Sequence, residues 1–205
     1  MRLAGGGGFV IALTLLSKPV AGQDIRLQAR LDKATMIAVN AIVDSARVAK
    51  LPTAPLVDKA LEGAAKGSDG TKIVSAVKQL SLRMGSSRRV LGPGASSDEI
   101  KAGAGALEAG ISVRDLARLR AASGKHPVTM ALAVLSDLIG QAVPISTATD
   151  LVVQLARSGI NDPELVMFQR NVRGDIGRGA DPTVAATTRA RGLVLRGGGA
   201  GAKPS

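Results

Sequence analysis

The chain has 205 residues, a formal net charge of +11 and 45% apolar residues, enough for a packed core in one or two small domains. It has no cysteine, which excludes disulfides, thiol catalysis and thiolate metal sites. It has no Trp or Tyr and only two Phe, Phe9 and Phe168, so small aliphatic side chains must build the core, each burying little area at roughly 25 cal/mol per Å².

Residues 1–22 have the layout of a secretory signal peptide. Arg2 makes a basic start, residues 3–16 form an apolar or neutral run, Pro19 breaks it, and Val20-Ala21-Gly22 places small residues before a cut at Gln23. The run is shorter than the ~20 residues that span a bilayer. Cleavage near Gly22 leaves 25 basic against 16 acidic residues, a net +9. Such a balance suits anionic partners as well as plain solubility.

Residues 23–50 read as one long helix, with Leu31, Thr35, Val39, Ile42, Val43 and Ala46 on its apolar side. Residues 51–84 read as a pair of helices. The first, from about Pro55 to Ala65, buries Leu56, Ala60, Leu61 and Ala64; the second buries Ile73, Val74, Ala76, Val77 and Leu80. Gly67 ends the first, and Ser68 or Asp69 caps the second. Residues 85–95, with Pro93 flanked by glycines, read as a connector carrying Arg88-Arg89.

Ser96 and Glu99 have the spacing of a capping box at the start of the next helix. Gly103 and Gly105 inside it cost about 1 kcal/mol each relative to Ala, which points to close contact with a neighbouring helix. A helix follows from Ser112 with Leu116, Leu119 and Ala122 inward and Arg114, Arg118 and Arg120 outward. Another starts at His126-Pro127 and buries Met130, Val134, Leu135, Leu138 and Ile139. Leu151, Val152, Leu155 and Ala156 mark the helix after Pro144. Leu165, Phe168, Val172 and Ile176 mark the one opened by Asn161-Asp162-Pro163-Glu164. A short last helix runs from Asp181-Pro182 to about Arg191, and residues 192–205 read as a disordered Gly-rich tail.

The expected fold is all-α: an irregular array of short antiparallel helix pairs over residues 51–191, after the longer N-terminal helix. An apolar residue followed by Pro, Ser or Asn precedes several helices: Leu51-Pro52, Ile111-Ser112, Val143-Pro144 and Ile160-Asn161. The units are unevenly spaced, so the array is degenerate rather than a fixed-period solenoid. β-branched residues never alternate over four positions, so no strand is expected.

The phrase LPTAPLVDKALEGAAKG, from Leu51 onward, resembles one found in uncharacterised exported proteins of high-GC bacteria. The resemblance lies within residues 51–80. It implies a bacterial envelope location and carries no activity.

Reactive constellations are lacking. The single histidine, His126, has no nucleophile or orienting partner in sequence. The acids Asp98-Glu99 and Asp162 with Glu164 lie at helix starts, where negative charge stabilises the helix dipole. Gly-Ser-Asp-Gly-Thr-Lys from Gly67 lacks the spacing of a phosphate loop and follows a helix rather than a strand. Arg173-Gly174-Asp175 spells an adhesion tripeptide near a helix end and is taken as chance. Aromatic platforms for sugars or single-stranded nucleic acid are missing. No catalytic residue, metal or cofactor is therefore expected, nor a specific nucleic-acid partner or a transmembrane span after cleavage of the leader. The expectation is a non-catalytic exported protein with a protein-interaction or scaffold role in the periplasm or cell envelope. One alternative is electrostatic binding of an anionic polymer or lipid head groups by Arg114, Arg118, Arg120, Arg170, Arg173 and Arg178. Another is a hydrolase built on a carboxylate pair.

Overall fold

The apolar stripes and caps become helices over nearly all of residues 25–197, the part of the chain described by the computed structural model. In chain order these are α1 (Ile25–Gln28), α2 (Lys33–Val48), α3 (Ala54–Ala65), α4 (Gly70–Leu91), α5 (Ser97–Glu108), α6 (Val113–Ala122), α7 (Thr129–Gly140), α8 (Ile145–Arg157), α9 (Asp162–Gly177) and α10 (Pro182–Gly197). The described residues contain no strand, so the all-α expectation holds.

Six helices end alike. One residue takes a positive φ: Lys50 (56°), Gly67 (66°), Gly110 (96°), Ala142 (66°), Gly159 (70°) and Gly179 (96°). The next N–H then donates to the carbonyl five residues back: Leu51 to Ala46, Ser68 to Gly63, Ile111 to Ala106, Val143 to Leu138, Ile160 to Leu155 and Ala180 to Asp175. This left-handed ending satisfies carbonyls that a helix terminus leaves open, and an apolar residue one step on packs back against the helix. Leu51, Ile111, Val143 and Ile160 occupy that step and are all buried. The recurrent apolar-then-Pro, Ser or Asn phrase thus has a physical basis: it is a helix stop followed by the next helix's start. Two of the six positive-φ positions, Lys50 and Ala142, carry a Cβ that this conformation disfavours.

Neighbouring helices pack as α3 on α4, α4 on α5, α5 on α6, α7 on α8 and α9 on α10. Alternate helices also touch: α2, α4, α6, α8 and α10 pack in succession, and so do α5, α7 and α9. Two layers result. The core falls into two clusters, one built from Leu27 to Ala104 and one from Ala106 to Leu193. α5 serves both, with Ile100 and Ala104 in the first and Ala106 in the second. Phe168, the single aromatic among the described residues, is fully buried in the second.

Small residues set the spacing around α4. A methyl group on Gly63 would stand 2.8 Å from Ile73 Cγ1, one on Gly70 would overlap Thr35 Oγ1, and one on Gly103 would overlap Ser87 Oγ. α3, α2 and α5 therefore each approach α4 at a place where a Cβ on one side is missing. The close-contact role expected of Gly103 is observed. Gly105 faces open space, so its helix-propensity penalty is not offset by packing.

Several boundaries differ from those expected. Residues 23–50 do not form one helix: Asp32 accepts from the Thr35 N–H (3.0 Å) and the Thr35 hydroxyl (2.6 Å) and starts α2 afresh. The connector is shorter than 85–95, because α4 continues to Leu91 and places Arg88-Arg89 in its last turn. Met84 and Ser87 are fully buried against neighbouring helices, and that burial carries the helix through the Gly-Ser-Ser phrase. α7 begins at Thr129 rather than at His126-Pro127. The last helix runs to Gly197, past Arg191, because Leu193 packs into the second core. The leader at 1–22 and the tail from 198 lie outside the described residues.

Candidate functional site

The six arginines expected to meet an anion fall into two groups. Arg114, Arg118 and Arg120 lie on α6, which packs on α4, α5 and α8; Arg170 and Arg173 lie on α9 and Arg178 caps it, and α9 packs on α7 and α10. Four of the six are already bound to carboxylates. Arg118 reaches Asp115 on its own helix (2.9 Å) and Asp150 on α8 (2.8 Å). Arg120 sits 3.6 Å from Glu99 and donates to the carbonyls of His126 and Gly124. Arg173 pairs with Asp137 on α7, and Arg178 with Asp175. Arg114 and Arg170 have no ion pair among the described residues.

Further pairs with large sequence separation join other helices. Arg83 on α4 meets Glu108 on α5 (3.0 Å), Arg189 on α10 meets Asp175 on α9 (2.6 Å), and Arg26 on α1 lies 3.6 Å from Asp58 on α3. Their partners are 14 to 32 or more positions apart in several cases, so no local spacing announces them. The Arg189 hydrogen bond, with Arg178 beside it, lowers the Asp175 carboxyl to about 2, while the hydrogen bond and charge of Asp137 raise Arg173. Six arginines, Arg26, Arg83, Arg118, Arg120, Arg173 and Arg189, thus join helices to one another. The Arg-Gly-Asp tripeptide is part of this pattern, since both of its charged members are engaged within the fold.

Glu99 is the one acid among the buried polar residues. It completes the expected capping box with Ser96, accepting from the Ser96 N–H at 3.0 Å while the Glu99 N–H donates to Ser96 Oγ at 3.1 Å. Its other oxygen accepts the N–H of Val128 at 3.1 Å. Val128 is the N-cap of α7 and offers no side-chain cap of its own. One carboxylate therefore closes the N-termini of two helices packed side by side, a favourable place for negative charge. Burial pushes the Glu99 pKa up, but the Ser96 and Val128 N–H groups, the Ser96 hydroxyl and Arg120 outweigh it and leave the pKa lowered. The capping-box half of this role was legible in sequence; the bond to Val128 was not.

His126 lines a cleft of about 310 Å³ between the α6–α7 loop and the α8–α9 turn, together with Ser123, Pro127, Ile160, Asp162 and Leu165. Ser123 Oγ donates to the Leu119 carbonyl at 3.0 Å, and Glu164 is engaged by the Asn161 N–H. A second cleft of about 260 Å³ lies between α9 and α10, lined by Glu164, Met167, Phe168, Asn171, Arg189 and Leu193 among others. Among the described residues, no three His, Asp or Glu side chains gather as metal ligands, and no helix is long and apolar enough to cross a membrane.

Comparison with protein-family models, with curated proteins and with solved structures finds no match to this chain.

Proposed function

We infer that the protein is an exported, non-catalytic helical scaffold that holds a protein partner in the bacterial periplasm or envelope. The supporting observation is a set of aliphatic side chains left uncovered on one layer. Val113, Ile145 and Val184 are 52%, 39% and 61% exposed. Each stands in the first turn of its helix, α6, α8 or α10, and those helices pack in succession. Exposed apolar side chains on adjacent elements suit burial against another protein surface. The signal-peptide layout of residues 1–22 supports export.

Site-specific photo-crosslinking in cells tests the reading. Probes at Val113, Ile145 and Val184 should capture one and the same polypeptide in the envelope fraction, and a probe at the exposed Lys101 on α5 should not. Equal capture from Lys101, or no capture from the three, overturns the scaffold. Amino-terminal sequencing should begin at Gln23; a cytosolic protein retaining Met1 overturns export.

Electrostatic binding of an anionic polymer or membrane surface is the second reading, supported by Arg114 and Arg170, which form no close ion pair among the described residues. It predicts binding that weakens steeply between low and physiological salt.

A further inference from the structure

The inter-helix arginines described above meet carboxylates, but the last turn of α4 departs from that pattern. There Arg88 donates to the Lys50 carbonyl at 3.2 Å and Arg89 to Ser86 Oγ at 2.9 Å. Neither arginine, nor Lys50, has an ion pair among the described residues. A guanidinium carries five N–H donors, so most of the donors on both arginines remain open. They border a cleft of about 370 Å³, floored by Leu51, Gly85, Gly92 and Pro93, with no acid in its lining. The Arg89 guanidinium lies over Gly85, where a Cβ would stand 3.7 Å from its Nη1.

Two helix C-termini converge here, those of α2 and α4. Each terminus presents about half a unit of negative charge. Together they offset about one cation, against two guanidinium groups and the nearby Lys50. A positive excess therefore remains at the cleft, unlike at the paired arginines of the inter-helix seams.

We propose that this cleft binds an oxyanion, the phosphoryl or sulfuryl group of a small ligand, held by Arg88 and Arg89. Paired guanidinium N–H groups match two oxygens of a tetrahedral anion. The anion fills only part of the cleft, and Leu51 and Pro93 supply an apolar surface for the rest of the molecule. The site is independent of the scaffold reading, since it uses neither α6, α8 nor α10.

The test is an NMR titration of the full chain, backbone and guanidinium resonances together, with inorganic phosphate against sodium chloride at matched ionic strength. Saturable shifts should appear at Gly85, Arg88, Arg89 and Gly92. R89Q should weaken binding at least tenfold, while R157Q, altering an exposed arginine at the end of α8 with no ion pair among the described residues, should leave it unchanged. Arg89 is exposed and its side-chain hydrogen bond runs to Ser86 within its own helix, so the R89Q spectrum away from the cleft should stay as in the parent chain. In a second arm, co-sedimentation with vesicles containing phosphatidic acid, lost in R89Q, assigns the phosphoryl group to a lipid; binding of free phosphate alone assigns it to a soluble ligand. Shifts that do not saturate, that chloride reproduces, or that persist in R89Q mean an adventitious ion only and overturn the proposal.

Discussion

A methyl group at Gly103 sets two effects of opposite sign against each other. Replacing Gly by Ala inside a helix stabilises it by about 1 kcal/mol. Here the new Cβ would overlap Ser87 Oγ and stand 3.1 Å from Ser87 Cβ and 3.4 Å from Leu91 Cδ1. Ser87 is fully buried in the 22-residue α4, so α4 and α5 must separate or Ser87 must rotate, and overpacking of this kind costs about 1–3 kcal/mol. G103A should therefore be less stable than the parent by about 1 kcal/mol. The Ser87 hydroxyl has no hydrogen-bond partner. S87A alone should then stabilise the protein by about 1 kcal/mol, because an unpaired buried hydroxyl is itself costly.

In S87A/G103A the overlapping oxygen is gone and the remaining 3.1 Å approach needs only a few tenths of an ångström of movement. The helix-propensity gain should then dominate, with a favourable coupling of about 1–2 kcal/mol between the two sites. Urea unfolding of the four proteins, followed by helical circular dichroism, measures that coupling. Additivity within about 0.5 kcal/mol, or a G103A protein more stable than its parent, would show that α4 and α5 are not in the contact described.

Ala142 has φ 66°, so A142G should raise stability by about 0.5–1 kcal/mol, the left-handed penalty less the entropy of glycine. The control A117G, exposed within α6, should lose about 1 kcal/mol, and the same denaturation series separates the two. E99A leaves the Ser96 and Val128 N–H groups without their acceptor and should cost about 2–3 kcal/mol. Because the Glu99 pKa is lowered from 4.5 in the folded chain, its contribution is complete above that value and fades as pH falls through the folded pKa. Acid titration of E99Q should accordingly show a flatter loss of stability below pH 4.5 than the parent. The Asp175 carboxyl is held at about 2 against an ordinary 3.8, first by the Arg189 hydrogen bond, so its contribution to the α9–α10 contact is full above 3.8 and fades toward 2. D175N should speed hydrogen exchange in α10 at neutral pH while α2 and α3 keep parental rates; uniform rates across the chain would refute the local role.

The helices were largely legible because their signals are local. An apolar stripe repeats within a few residues, and a cap lies three positions from its acceptor, as with Ser96 and Glu99 or Asn161 and Glu164. Local cues mislead where burial by another element overrides them. Gly85-Ser86-Ser87 reads as a break, yet the packing of Met84 and Ser87 carries α4 through it. Asp32 reads as one more polar residue on a continuous helix face, yet its two bonds to Thr35 start a new helix. The outward arginines of α6 and α9 were visible as positions, but their carboxylate partners were not, since Arg118 and Asp150, or Arg173 and Asp137, are 32 and 36 residues apart.

Composition, periodicity and caps sufficed for an all-helical chain with a small-residue core, because backbone hydrogen bonds and apolar stripes in a helix close over a few residues. Tertiary structure alone decided which arginines are neutralised, that Glu99 terminates two helices rather than one, and that Arg88 and Arg89 border a cleft with no acid in its lining. Coulomb attraction and steric fit act through space, and the fold sets those distances by bringing residues far apart in the chain onto neighbouring helices.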